Sequence, residues 1–234
     1  MKNFSITPIE IIKSFTKNRS LIYQMSKREV VGRYKGSLMG LLWSFFNPAL
    51  MLVIYTFVFS IIFKARWPGV TNNLEFAGIL FAGLIIYSLF SECISRSPSL
   101  ILSNVNYVKK VIFPLEILSW IALGSSLFHA SVSVIVLLGF MLFLTGGLHW
   151  TVVLFPLVIF PLLLLTMGIS WILASLGTYS RDIGQVISFI VMAMMFMSPI
   201  FFPSSAFPES YRVLFYLNPL TFIIEQSRDV LLWG

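Results

Sequence analysis

The sequence predicts an all-α membrane protein with an N-terminal amphipathic interface helix, five spans and short re-entrant helices on the outer face. Three observations carry that reading. Only 11% of the 234 residues are charged and 58% are hydrophobic, with a mean hydropathy of +0.91. A water-soluble domain carries roughly 25% charged residues, so this chain cannot cover an aqueous surface. The apolar stretches are long and unbroken, whereas strands of a membrane barrel alternate apolar and polar positions over about ten residues. Lys and Arg also distribute unevenly. With the N-terminus inside, twelve of the sixteen fall on inside segments (Lys2, Lys13, Lys17, Arg19, Lys27, Arg28, Arg33, Lys35, Arg96, Lys109, Lys110, Arg181) and four outside (Lys64, Arg66, Arg212, Arg228). Cytoplasmic loops collect such cations, which predicts a multi-pass protein with a cytoplasmic N-terminus.

Residues 1–36 form the cytoplasmic interface region, and 37–234 the transmembrane domain. Thr7-Pro8-Ile9-Glu10 reads as a helix start, with Thr7 as N-cap, Pro8 in the first turn and Glu10 closing a capping box. Ser26-Lys27-Arg28-Glu29 fits a second start. The basic amphipathic character suits anionic lipid headgroups and equally a docking surface for a cytoplasmic partner. No apolar signal-peptide core precedes the first span, which is therefore expected to act as the insertion signal. Spans of about 20 apolar residues are expected over 37–63, 76–95, 117–144, 151–176 and 183–202, the first kinked near Pro48. The final stretch, about 206–232, mixes apolar and polar residues around Asn218-Pro219. It reads as short outer helices, allowed at membrane depth only where protein or water covers them.

Within this frame several residues could carry function. Gly32, Gly36 and Gly40 would line one helical stripe suited to close packing. The segment from Arg96 to Glu116 is too long for a tight turn and reads as a solvated loop or as a short helix pressed by a soluble motor. Glu92 and Arg96 sit at i, i+4, where a local ion pair that snorkels to the interface accounts for both. Aromatic residues make up 16% of the chain. Trp43, Tyr55, Phe59, Tyr87 and Phe90 are lipid-facing packing or, alternatively, rings along a path on which sugar faces stack. Cys93, the single cysteine, excludes an internal disulfide, and His129 and His149 lack metal-ligand spacing. No Gly-rich phosphate loop is present, so ATP hydrolysis is not expected of this chain. No cluster of intramembrane acids marks an ion-coupled carrier. Glu92, Glu116 and Asp182, the candidates for a membrane-embedded enzyme, are dispersed.

Arg33-Tyr34-Lys35-Gly36-Ser37-Leu38-Met39-Gly40-Leu41-Leu42-Trp43, followed by Asn47-Pro48, resembles the membrane-entering segment of polysaccharide ABC exporter permeases. These are type-2 ABC transporter membrane subunits for O-antigen (lipopolysaccharide), capsule or teichoic acid. Lys109 to Glu116, Tyr179 to Ile183, Ser198-Pro199-Ile200 and Tyr216 to Leu220 resemble later family segments in the same order. The resemblance implies a lipid-linked polysaccharide substrate, a homodimer and two copies of a separate ATPase that binds ATP and Mg; no cofactor is expected in this chain and no nucleic-acid partner. It places the protein in a bacterial cytoplasmic (inner) membrane. It assigns ATPase contact and coupling to Lys27, Arg28, Arg33, Lys35, Ser103, Asn104, Tyr107, Lys109, Lys110, Arg181 and Asp182. The polymer channel would use Trp43, Tyr55, Phe59, Tyr87 and Phe90, and the outer gate Pro199, Tyr211, Tyr216, Asn218 and Pro219. It also implies a sixth span after the outer helices, beyond Gly234. A type-2 permease for a drug or a lipid, or a membrane enzyme of glycan or lipid synthesis, are the competing functions.

Overall fold

The computed structural model describes residues 8–62, 67, 73–110, 113–203, 213, 215 and 217–234, and among them only helices and turns occur. The helices are α1 (Pro8–Lys17), α2 (Arg19–Arg33), α3 (Trp43–Tyr55), α4 (Asn73–Arg96), α5 (Leu100–Ser103), α6 (Val105–Lys110), α7 (Ile117–Thr145), α8 (Phe155–Tyr179), α9 (Asp182–Phe196) and α10 (Pro219–Arg228). Four continuous helical stretches are long and apolar enough to cross a bilayer: Gly40–Phe59, Leu74–Ser103, Ile117–Thr145 and Trp150–Tyr179. The fifth expected span is observed as α9, whose 15 residues reach about 22 Å at 1.5 Å per residue, short of a hydrocarbon core of about 30 Å.

α1 is described from Pro8, and its expected cap, Thr7, lies outside the described residues. α2 runs unbroken from Arg19 to Arg33, so the second start expected at Ser26 does not occur. Ser26 instead turns its hydroxyl to a neighbour, the backbone carbonyl of Ile121, at 3.2 Å. The glycine stripe does not form either. Gly36 (φ 91°) and Gly40 (φ 51°) both adopt left-handed backbone conformations, in which a β-carbon clashes and glycine is tolerated. They turn the chain between α2 and α3 rather than line one helix. Pro48 sits inside α3 without ending it, and a wider helical segment with i→i+5 bonds over Thr56–Ile62 continues the helix. α7 closes on Gly146, whose left-handed conformation (φ 73°) and N–H bond to the Leu142 carbonyl form a helix cap.

α4 is the centre of the bundle. From Phe76 to Ile86 every residue is buried, with Leu89, Phe90, Cys93 and Ile94 continuing the line. It packs against α7, α8, α9 and α10 in one continuous apolar core. Hydroxyls on the spanning helices return to carbonyls one turn back, as Ser133 to His129 (2.9 Å) and Thr145 to Met141 (2.9 Å) do. That satisfies them where no water is available. α2 docks on the start of α7, with Ile22 against Ile117, Leu118 and Ile121.

Candidate functional site

Two clusters of polar groups occupy opposite ends of α4. At the α2 end, four charges on two helices interlock. Glu29 and Arg33 are one turn apart on α2, and Glu92 and Arg96 one turn apart on α4. Across the gap Arg33 binds Glu92 and Arg96 binds Glu29; within α4, Arg96 also lies 3.8 Å from Glu92. The side chains are partly exposed, between 22% and 40%. The i, i+4 pair expected on α4 is therefore half of a four-membered network. Its other half is Glu29 and Arg33, equally spaced and in the same acid-then-base order on α2, which pairs all four charges when the helices run antiparallel.

Beside this network a cleft of about 370 Å³ is lined by Arg28, Glu29, Arg96, Ser103, Asn104 and Tyr107 among others. The Arg28 guanidinium donates to the Tyr107 hydroxyl at 3.4 Å. The segment after Arg96 is a chain of short helical pieces, α5 and α6 following a tight turn at Ser97–Ser99. That turn is pinned. Ser97 donates to Ser170 on α8 at 2.8 Å, and Gly177 passes so close that a β-carbon there would lie 2.0 Å from the Pro98 carbonyl oxygen. Pro98 also faces Gly184 on α9, which brings the Arg181–Asp182 turn beside it. The structure thus gathers Arg28, Arg33, Ser103, Asn104, Tyr107, Arg181 and Asp182 at one end. Lys27 and Lys35 are exposed at that same end, and Lys109 and Lys110 close α6.

Above the network lies a cavity of about 250 Å³ between α3, α4 and α7. Its lining includes Asn47, Tyr55, Ser88, Glu92, Ser126 and His129. Two side chains at the end of α2 reach its rim: Arg33, through Glu92, and Tyr34, whose hydroxyl lies 3.4 Å from His129 Nδ1. Burial raises the Tyr34 phenol above its ordinary value, opposed by the adjacent Arg33 charge. It therefore remains a hydroxyl at neutral pH. Of the five expected path residues only Tyr55 lines this cavity. Phe59 belongs to an aromatic ladder, stacked on Phe201 (5.8 Å) and near Tyr55 and Phe76. Tyr87 donates to the Val191 carbonyl at 3.1 Å, Phe90 is buried in the core, and Trp43 is half-buried at the start of α3.

At the other end, Asn218 caps α10. Its Oδ1 accepts the Leu220 N–H at 3.0 Å, and its Nδ2 donates to the Met197 carbonyl (3.1 Å) and to Ser198 (2.9 Å). One side chain both starts α10 ahead of Pro219 and holds the turn that carries Pro199. Tyr211 and Tyr216 lie outside the described residues. The sequence reading missed Arg228. It is 1% exposed, donates to the carbonyls of Ile79 on α4 and Ile200 after α9, both at 3.0 Å, and lies 4.6 Å from the centre of the Trp67 ring. Gly83 makes room: a β-carbon there would stand 2.9 Å from the Arg228 guanidinium. Among the described residues no carboxylate lies within ion-pair reach of it. The available signal was Gly83 within a run of bulky residues, which marks a close approach.

Long apolar helices, charges held in interlocked pairs and a basic helix clamped to the bundle define a polytopic α-helical membrane protein. The chain belongs to the ABC-2 type transporter family, whose match spans residues 20–232. It is a non-catalytic permease of the kind that works with an ABC ATPase. It is 29% identical to the O-antigen export system permease protein RfbA of Klebsiella pneumoniae, over 92% of this chain and 81% of that protein. It is 28% identical to the RfbA of Myxococcus xanthus, over 95% and 84%. It is 25% identical to the polysialic acid transport protein KpsM of Escherichia coli, over 88% and 79%.

Proposed function

We propose that this chain is the permease of an ATP-driven exporter that moves a lipid-linked polysaccharide out across a bacterial cytoplasmic membrane. It works as a homodimer with two copies of a cytoplasmic ATPase, which holds ATP and Mg, and its N-terminus is cytoplasmic. The reading rests chiefly on one observation: permeases of two surface polysaccharides, O-antigen and polysialic acid, match it over nearly its whole length. The geometry is in keeping with that role. A push on α2 or on the α5–α6 segment is carried to α4 by the four-charge network, and withdrawal of Arg33 and Tyr34 unplugs the cavity containing Glu92 and His129. At the far end, Asn218 and Arg228 hold α10 over the bundle as a gate.

Deletion of the gene, with plasmid complementation, tests the proposal. Surface polysaccharide should disappear while lipid-linked polymer accumulates inside, and the chain should co-purify with an ABC ATPase whose hydrolysis rises with polymer present. Normal surface polysaccharide after deletion, with altered efflux of a drug or lipid, would refute the substrate class. Failure to associate with any ATPase would refute the exporter assignment.

A further inference from the structure

We infer that the groove between α2 and α7 is a binding site for one anionic phospholipid of the leaflet on the α2 side. The groove, about 480 Å³, is walled by Ile22, Val30, Val31 and Phe128, with Phe15 at one end. Arg19 and Lys27 stand at its edge, two helical turns apart and so about 12 Å along the α2 axis. Among the described residues lining it, none is acidic. A second cavity, about 230 Å³, shares Phe15, Ile22 and Gly124 with the first and extends between α7 and α8 toward Phe160 and Met167. The two make one apolar cleft that begins under two cations and runs into the bundle. Gly124, where a β-carbon would lie 2.6 Å from the Ser26 hydroxyl, lets α2 approach α7 closely at the floor shared by the two cavities.

The occupant follows from this chemistry. An apolar cleft at membrane depth takes an acyl chain. Two cations without acids beside them select a phosphate that carries net negative charge, such as phosphatidylglycerol, over a zwitterionic headgroup. Trp120 lines the inner cavity, and its indole Nε1–H has no partner among the described residues. A lipid ester carbonyl is an acceptor of the right kind for it. Bound in this way, the lipid becomes part of the wall between the interface helix and the span it rides on.

Native mass spectrometry of the full chain tests this, after its release from lipid discs of mixed phosphatidylglycerol and phosphatidylcholine. The wild type should retain one phosphatidylglycerol per chain in preference to phosphatidylcholine. The double variant Arg19→Gln/Lys27→Gln should weaken retention about 30-fold, the effect of two charges near an anionic surface. Val31→Trp, which fills the groove without changing charge, should also displace the lipid. The control pair Lys13→Gln/Lys17→Gln, on exposed α1 positions outside the groove, should retain it. The inference is overturned by equal retention of the two lipids, by an equal loss in the control pair, or by cross-linking from Val31→Cys that finds a second copy or the ATPase there. None of these readouts requires transport, so the result stands apart from that of the export assay.

Discussion

Reversing one charge in the α2–α4 network tests how the interface helix is joined to the bundle. In Glu92→Arg, Arg33 loses its partner and three guanidinium groups meet where two carboxylates had separated two. A unit charge pair at 4 Å is worth about 1 kcal/mol in water and about 4 kcal/mol near a protein surface. Exposed pairs realise only about 0.2–1 kcal/mol. These side chains are 22–40% exposed, so turning attraction into repulsion should cost about 2–4 kcal/mol. Swapping one cross pair, Arg33→Glu with Glu92→Arg, restores that contact but leaves like charges one turn apart on both helices. Swapping all four, with Glu29→Arg and Arg96→Glu added, restores every pair in mirror image. Thermal unfolding in detergent should therefore rank the single reversal lowest, the double swap between and the fourfold swap near the wild type. ATPase stimulation of the assembled complex should follow the same order. A fourfold swap no better than the single reversal would refute the network as the joint.

The remaining predictions follow from close contacts. Gly177→Ala places a β-carbon 2.0 Å from the Pro98 carbonyl oxygen. Backbone cannot yield as a flexible side chain can, so α8 must separate from the Ser97–Ser99 turn at about 1–3 kcal/mol; an unchanged unfolding midpoint would contradict that packing. At Arg228, lysine keeps the buried charge but loses the planar fork that reaches two carbonyls at once. Methionine loses both bonds and also the desolvation cost of the charge. Arg228→Lys should therefore unfold earlier than Arg228→Met, while both loosen α10, read as faster labelling of a cysteine placed at Phe222. The reverse order of stability would show that the charge itself, not its geometry, holds the site.

Much of the fold was legible because lipid imposes a simple rule: backbone groups must be satisfied within each segment, so spans announce themselves as apolar runs. Helices occupy the stretches around 76–95, 117–144 and 151–176. The region from Lys27 to Trp43 was legible as a junction and misread in detail. A spacing of four between glycines suits a helical stripe, and nothing local reveals that Gly36 and Gly40 take positive φ. The ion pairs were half legible. Glu92 and Arg96 satisfy each other on paper, so a single helix gives no reason to look for Arg33 or Glu29. The placement of the aromatic residues was less legible. Tyr87 and Phe90 lie on a mostly apolar helix, and only the packing of α7 and α9 around α4 decides which rings meet a cavity and which meet the core.

α4 is where these observations meet. Ile79, which accepts from Arg228, and Glu92, which accepts from Arg33, are thirteen residues apart on it, about 20 Å along its axis. Between them most of the helix is buried against its neighbours, with Ser88 on the one exposed position and close contacts at Gly83 and, just before Ile79, at Gly78. A helix so held cannot bend locally without opening voids on several neighbours, and packed interfaces shift between discrete arrangements rather than deform by degrees. On the proposed reading, displacement of α2 reaches the α10 end as movement of α4 as a body, changing the distance between the Ile79 carbonyl and Arg228. Such a link requires that the ATPase bind one position of α4 better than another. It also requires that Arg228 release one of its two carbonyls when α4 moves. Arg228→Met should then uncouple the two ends: labelling at the α10 end becomes insensitive to ATP, while ATP hydrolysis by the complex persists. If hydrolysis and ATP-sensitive labelling both survive the substitution, the connection between the ends runs through α8 and the Ser97–Ser99 turn instead.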